Sequence, residues 1–185
     1  MQKVKHPWIA FFSQTGSEIV SISLSLNRWP DMVITNKRPD HLRKINEILD
    51  EECKIHYVEN KPSDEELMKL IDKYENPIIT LHGWLRVMSP EMCDKYHMFN
   101  GHPGLITWYP ELKGKDPQVR TFEGIKEGIY PVAGAVIHKV TAGVDEGKII
   151  SEEKFNTFGL DLKELFRILR NRSEYMWIKL LRNII

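Results

Sequence analysis

Short apolar runs alternate with helix-period segments through the first 100 residues of this 185-residue chain. The runs predict four strands, at Trp8–Phe12, Met32–Thr35, Lys54–Val58 and Pro77–Leu81. Strands that lack polar alternation belong to sheets covered on both faces, and an alternation of strands with helices favours parallel pairing. The pattern therefore predicts an α/β fold with a Rossmann-like, doubly wound, mostly parallel sheet.

Helix signals stand between and after these runs. The segments that carry them are Ser17–Leu26, the spaced apolar residues Leu42, Ile45, Ile48 and Leu49, a capping box at Ser63–Glu66, and Ser89 followed by Pro90. In the second half, Val132–Val140 and Lys148–Phe155 predict two more strands, joined by a glycine-containing loop at 141–147. A long C-terminal helix is predicted from an apolar stripe that begins at Leu162. No linker or repeat divides the chain, so we expect one domain over residues 1–185.

Composition bears on the partners, location and metal content that we expect for the protein. Lys plus Arg and Asp plus Glu number 26 each, so no global field favours nucleic acid or a membrane. No apolar run approaches the ~20 residues that span a bilayer, and the N-terminus lacks a signal-peptide core, which favours a cytoplasmic protein. Cys53 and Cys93 are expected to be buried thiols. His97 and His102 with Cys93 lack zinc-like spacing, so we expect no metal.

Polar residues interrupt the apolar pattern at Phe99–Gly104, a glycine- and proline-rich segment that we expect to turn tightly after a strand. Ligands of open α/β sheets bind at that edge. Asn100 offers an amide donor for an oxyanion, His102 can handle protons, and Asp145 could orient His102. No serine or cysteine lies in a nucleophile elbow, so these residues predict acyl transfer to a nucleophile carried by the substrate. A turn asparagine and a structural histidine would give the same pattern without any chemistry.

Three segments together resemble the signature of the folate-dependent formyltransferases: Asn100–Pro103, Gly134–His138 and Val144–Ile150. The resemblance implies a formyltransferase catalytic domain with 10-formyltetrahydrofolate as the formyl donor and direct attack by a substrate amine. It implies that Asn100 stabilises the oxyanion, that His102 assists as charge stabiliser and proton donor, and that Asp145 fixes His102 and relays the amine proton. His138 matches a family position, where we expect it to brace the loop. We also expect activity to fall at acidic pH as the amine and Asp145 become protonated.

The resemblance extends to both ligand sites. Leu81–Pro90 resembles the segment whose backbone holds the pterin in this family, and the implied folate contacts are Arg86, Val87, Met88, Thr141, Ala142, Gly143 and Val144. The turn after the first strand resembles the phosphate loop of the family's ribonucleotide enzymes, and the implied acceptor contacts are Thr15, Gly16, Ser17 and Glu174. Glycinamide ribonucleotide, and hence purine biosynthesis, is the leading acceptor. A plain turn capped by Ser17 is the alternative, and Glu18, where the family's ribonucleotide transformylase has Asn, would repel an anion.

Other functions stay open at this stage. A nucleotide-sugar N-formyltransferase would use the same donor, and a deformylase would use the same three polar residues with water as acceptor. A flavodoxin-like, flavin-binding redox module would explain only the glycine turn, and a non-catalytic relative would bind folate or a nucleotide. A tRNA substrate is disfavoured because the net charge is zero and no basic arm follows the long helix. A homodimer is compatible with the sequence.

Overall fold

The computed structural model describes residues 5–37 and 45–185, which form seven strands and six helices. In chain order the elements are β1 Trp8–Phe12, α1 Ser17–Leu26, β2 Met32–Thr35, α2 Glu47–Glu52, β3 Ile55–Tyr57, α3 Asp64–Ile71, β4 Ile78–His82, α4 Pro90–Lys95, β5 His97–His102, a 3₁₀ turn Pro110–Leu112, α5 Pro117–Lys126, β6 Val132–Lys139, β7 Ile149–Asn156 and α6 Leu162–Ile184.

The strands pair in the order β3-β2-β1-β4-β5-β6-β7. Strands β1 to β5 are parallel, whereas β6 and β7 add in antiparallel fashion. The predicted doubly wound, mostly parallel sheet is therefore confirmed. Because β1 lies between β2 and β4, the strand order reverses there, and the carboxyl ends of β1 and β4 flank the crevice that such sheets offer to ligands.

Both faces of the sheet are covered, as the apolar runs predicted. On β1, Trp8, Ala10 and Phe12 pack in one buried cluster with α1 and α6, whereas Ile9 and Phe11 pack in another with α3 and α4. All five side chains are fully buried. Helix α6 contributes Leu165, Leu169, Met176, Trp177 and Leu181 to the first cluster. No helix among residues 5–37 and 45–185 is both long and apolar enough to cross a membrane.

Several predicted boundaries shift. Leu42 lies outside the described residues, and Ile45 precedes α2, whose N-cap is Asn46. Ser63 caps α3 by accepting from the Glu66 N–H at 3.1 Å. The reciprocal capping box is instead at the start of α6, between Asp161 and Glu164. Cys53 and Cys93 are free and buried, as predicted.

Helix α5 was not predicted from the sequence. Pro117 occupies its first turn, which is a recognised start signal. Its fully buried positions are Thr121 and Gly124, whereas Phe122 and Ile125 are only partly buried against the core. A Cβ on Gly124 would lie 2.2 Å from the Tyr130 ring. The close contact between the helix and this ring therefore requires glycine at position 124. Hydrophobic periodicity cannot reveal a contact of that kind.

Leu169→Ala tests how strongly α6 holds the sheet. Leu169 is fully buried against the sheet, so its truncation should lower the free energy of unfolding by about 2–5 kcal/mol, as measured by urea denaturation. The exposed Lys179→Ala on the same helix is the control and should stay within about 0.5 kcal/mol of wild type. Equal effects of the two substitutions would contradict this packing.

Candidate active site

Asn100 and His102 lie within β5 rather than in a turn after it, so that part of the expectation was wrong. The strand continues because its last residues pair with β6, with Asn100 opposite His138 and His102 opposite Val136. Alternate residues of a strand share a face, so Asn100 and His102 project to the same side of the sheet. The pairing with β6 also brings His138 beside Asn100.

Asp145 lies on the loop between β6 and β7, and this loop brings its side chain to the end of β5. Its backbone adopts a left-handed φ of 52°. Two residues later the loop closes tightly at Gly147, where a Cβ would lie 1.7 Å from the carbonyl oxygen of Lys139. Only glycine allows this approach, and it brings the carboxylate of Asp145 back over β5.

The three residues predicted to be catalytic are in direct contact. Asp145 Oδ2 lies 3.1 Å from His102 Nδ1, and its Oδ1 lies 3.3 Å from Asn100 Nδ2. His138 Nε2 lies 3.1 Å from Oδ1, and the Gly114 N–H donates to Oδ2 at 2.8 Å. The side chains of His102 and Asp145 are only 5% and 10% exposed. A buried carboxylate thus faces donors from three segments of the chain.

These contacts decide the charge of Asp145. Burial raises its pKa, but hydrogen bonds from His102 and His138, the positive charge of His102 and the Gly114 N–H outweigh burial and leave the pKa well below its usual range. Asp145 is therefore ionised at neutral and mildly acidic pH. Our expectation that its protonation reduces activity was wrong, and an acidic limb between about pH 5 and 8 has to come from another group.

His102 has an acceptor at each ring nitrogen. Nδ1 faces Asp145, and Nε2 lies 3.0 Å from the carbonyl oxygen of Leu112. The ring is therefore held between two oxygen acceptors. Donation of a proton from Nε2 to a substrate would require the ring to leave the Leu112 carbonyl.

His138, which sequence reasoning kept out of the catalytic set, lies at the centre of the same cluster. Its Nδ1 is 2.9 Å from the carbonyl oxygen of Lys139, a contact that requires an N–H on Nδ1. Its Nε2 faces both Asp145 Oδ1 and Asn100 Nδ2, each at 3.1 Å. His138 therefore contacts both Asn100 and Asp145.

The predicted folate residues lie on the loops that follow β4 and β6, on either side of β5. The guanidinium of Arg86 donates to the carbonyl oxygens of Asn60 at 2.6 Å and Leu85 at 2.9 Å. Leu85 and Val87 are 63% and 66% exposed, and Val144 on the other loop is 49% exposed. Met88, in contrast, is buried in the same cluster as Val140. Thr141, Ala142 and Gly143 belong to the loop after β6. Both loops thus present exposed apolar side chains on either side of β5.

The predicted phosphate loop is a strand-to-helix turn of the expected kind. Gly16, with φ 73°, is the N-cap of α1, and Ser17 is the first helical residue, so the alternative of a cap by Ser17 was wrong. Within the loop Thr15 Oγ1 donates to Ser17 Oγ at 3.1 Å and accepts from the Ser17 N–H at 3.3 Å. Lys37 Nζ donates to the Gln14 carbonyl at 2.7 Å, which places a cation beside this turn.

Glu18 turns away from that loop. Its Oε2 lies 2.8 Å from His82 Nδ1, and its Oε1 accepts from Ser173 Oγ at 2.6 Å. Burial raises the pKa of Glu18, but the contacts with His82 and Ser173 and the charge of Arg170 lower it overall, so the carboxylate is ionised. Glu174, predicted to face the acceptor amine, contacts Arg170 at 2.8 Å, and the described contacts do not link it to Asn100 or Asp145.

A family model described as formyl transferase matches residues 9–168. The phosphoribosylglycinamide formyltransferase of Schizosaccharomyces pombe is 32% identical over 121 residues, which cover 63% of this chain and 57% of that protein. The enzyme of the same name from Escherichia coli K12 is 30% identical over 103 residues, covering 55% and 45%. The chain thus spans about half the length of the curated relatives it matches.

Solved structures support the fold. Glycinamide ribonucleotide transformylase 1 from Symbiobacterium toebii superposes with a TM-score of 0.79 at 22% identity, covering 98% of this chain and 88% of that one. Phosphoribosylglycinamide formyltransferase from Campylobacter jejuni superposes at 0.77 with 21% identity and 94% coverage of both chains. At these identities the likeness concerns the fold alone.

Within the described ranges, no cluster of three or more His, Cys, Asp or Glu side chains could hold a metal ion.

Asp145→Asn tests the charge of the buried carboxylate. Because the folded-state pKa lies below the unfolded value of about 3.9, ionised Asp145 stabilises the fold above about pH 4, and this stabilisation is lost as pH falls further. Wild type should therefore be more stable than the variant at pH 7, with a difference that shrinks below about pH 4, as measured by urea unfolding at several pH values. A difference that is independent of pH would contradict the lowered pKa.

Proposed function

The chain belongs to the formyl transferase family, and we propose that it transfers a formyl group from 10-formyltetrahydrofolate to the primary amine of a small phosphorylated acceptor. Glycinamide ribonucleotide is the leading acceptor, in keeping with the names of the curated relatives. The observation that carries the proposal is the contact of Asp145 with both Asn100 and His102 at the carboxyl edge of the sheet.

The reaction needs no protein nucleophile. The acceptor nitrogen attacks the formyl carbon, a C–N bond forms, and the carbonyl electrons move to oxygen. The amide of Asn100 and the ring of His102 stabilise that oxyanion. When the intermediate collapses, the bond to N10 of the folate breaks, N10 gains a proton and the acceptor nitrogen loses one. Formylated acceptor and tetrahydrofolate are the products.

Each polar residue has a separate role in this scheme. Asn100 Nδ2 contacts His138 and Asp145 and exchanges one of these contacts for the formyl oxygen when the donor binds. The low pKa makes Asp145 a weak base at neutral pH. Its main role is thus to orient the ring of His102, while the amine proton leaves through water towards N10.

The two loops around β5 suit the donor. A pterin is flat and partly apolar, with hydrogen-bonding edges that match backbone groups. The backbone of Arg86–Met88 and of Thr141–Val144 offers those groups, and exposed Val87 and Val144 offer apolar contact. The contacts of Arg86 with Asn60 keep the first loop in place.

The acceptor's phosphate is assigned to Thr15, Gly16 and Ser17. The loop precedes a ten-residue helix whose N-terminal N–H groups and dipole favour an anion, and Lys37 lies beside it. The carboxylate of Glu18 contacts His82 and Ser173 instead of the loop, so it does not exclude phosphate from the loop. Glu174 is kept as an acceptor contact, which requires it to leave Arg170. A nucleotide-linked amino sugar is the alternative acceptor.

No observation favours the flavodoxin-like alternative. The cytoplasmic location and a homodimer stay predictions from the sequence.

Asn100→Ala tests the oxyanion role. Loss of the amide donor should lower kcat about 10²–10³-fold in an assay that follows tetrahydrofolate release with glycinamide ribonucleotide as acceptor. Asn183→Ala, which removes an exposed amide near the end of α6, is the matched control and should leave kcat unchanged. Unchanged turnover in a folded Asn100→Ala variant would eliminate the mechanism.

The acceptor loop is tested with matched substrates. Glycinamide ribonucleotide should exceed its dephosphorylated riboside in kcat/KM by at least about tenfold, because charge-assisted hydrogen bonds to phosphate contribute about 1.5–3 kcal/mol each. Equal values for the two would refute phosphate binding by this loop. A higher kcat/KM for a nucleotide-linked amino sugar would favour the alternative acceptor.

A further inference from the structure

Arg120, on α5, hydrogen-bonds the segment that follows the 3₁₀ turn, and this segment contacts His102 and Asp145. We propose that Arg120 is a positioning residue for the formyl-transfer site, an inference that rests on the proposed function. Its guanidinium donates to three successive carbonyl oxygens, those of Glu111 at 2.5 Å, Leu112 at 3.0 Å and Lys113 at 2.7 Å. Its described contacts include neither Asn100 nor Asp145.

These carbonyls need such a partner. They close the 3₁₀ turn Pro110–Leu112, where the last carbonyls of a helical turn have no further intrahelical donor. The planar guanidinium offers several N–H groups in a fixed fork and matches three oxygens that converge on one side chain. Its positive charge also suits the negative end of the turn.

The same segment supplies contacts to two of the three proposed catalytic residues. The Leu112 carbonyl accepts from His102 Nε2 at 3.0 Å, so His102 and Arg120 share one oxygen. Two residues on, the Gly114 N–H donates to Asp145 Oδ2 at 2.8 Å. Gly114 has φ +83°, a conformation that L side chains rarely adopt, so the direction of this N–H depends on a tightly held turn.

Loss of Arg120 should therefore lower kcat and leave KM for both substrates close to that of wild type. The freed carbonyls would turn towards water and loosen the segment from Leu112 to Gly114. His102 would lose the fixed acceptor at Nε2, and Asp145 would lose one donor. The proposed donor and acceptor loops do not include this segment, so substrate affinity should stay close to that of wild type.

The kinetic test compares Arg120→Ala and Arg120→Lys with Arg28→Ala. Arg28 also donates to a backbone carbonyl, that of Trp29 at 2.7 Å, but lies before β2, away from the proposed site. Arg120→Ala should lower kcat about 10–100-fold with KM for both substrates within about twofold. Arg120→Lys should recover only part of kcat, because the ammonium keeps the positive charge but cannot donate to three oxygens in a fixed geometry. Arg28→Ala should leave kcat and KM unchanged.

A second readout does not depend on turnover. Ring ¹⁵N and ¹H NMR signals of His102 should show a hydrogen-bonded Nε2–H in wild type and in Arg28→Ala, and a shifted or rapidly exchanging one in Arg120→Ala. If Arg120→Ala fails to fold, Arg120→Lys is measured in the same way. Unchanged His102 signals in the folded variant would overturn the positioning role, whatever its kcat. Absence of formyl transfer in wild type would overturn the proposed function and leave the NMR test of Arg120 intact.

Discussion

The buried carboxylate of Asp145 is the interaction on which the rest of the site depends. A charge removed from water is tolerated only when partners surround it, and loss of one partner leaves an uncompensated buried charge. Asp145 meets donors from β5, from β6 and from the segment after the 3₁₀ turn. Its ionisation therefore requires that three parts of the chain come together correctly. This requirement ties the proposed chemistry to the folding of the second half of the chain.

The sheet meets this requirement through strand direction. β6 runs antiparallel to β5 and so places His138 opposite Asn100. The loop after β6 then returns to the carboxyl edge of β5, and Gly147 permits the close approach. The antiparallel end of the sheet thus contributes His138 and the loop that carries Asp145 to the site.

Sequence reasoning identified the layered architecture and the three central polar residues, because buried strands and misplaced polar side chains both leave local signals. It misplaced the end of β5, since Gly101 and Pro103 resemble a turn and only the pairing with β6 extends the strand to His102. Backbone contacts leave no such signal. The contacts of Leu112 with His102 and of Gly114 with Asp145 could not be read from residue types, and the same holds for the inward direction of Glu18.

The most direct test of the proposed mechanism is a crystal structure with a non-transferable analogue of 10-formyltetrahydrofolate. The analogue's carbonyl oxygen should lie within about 3.2 Å of Asn100 Nδ2 and close to the His102 ring, with the pterin between the loops that follow β4 and β6. A pterin bound elsewhere, or a carbonyl that points away from Asn100 while Asp145 keeps its contacts, would contradict it.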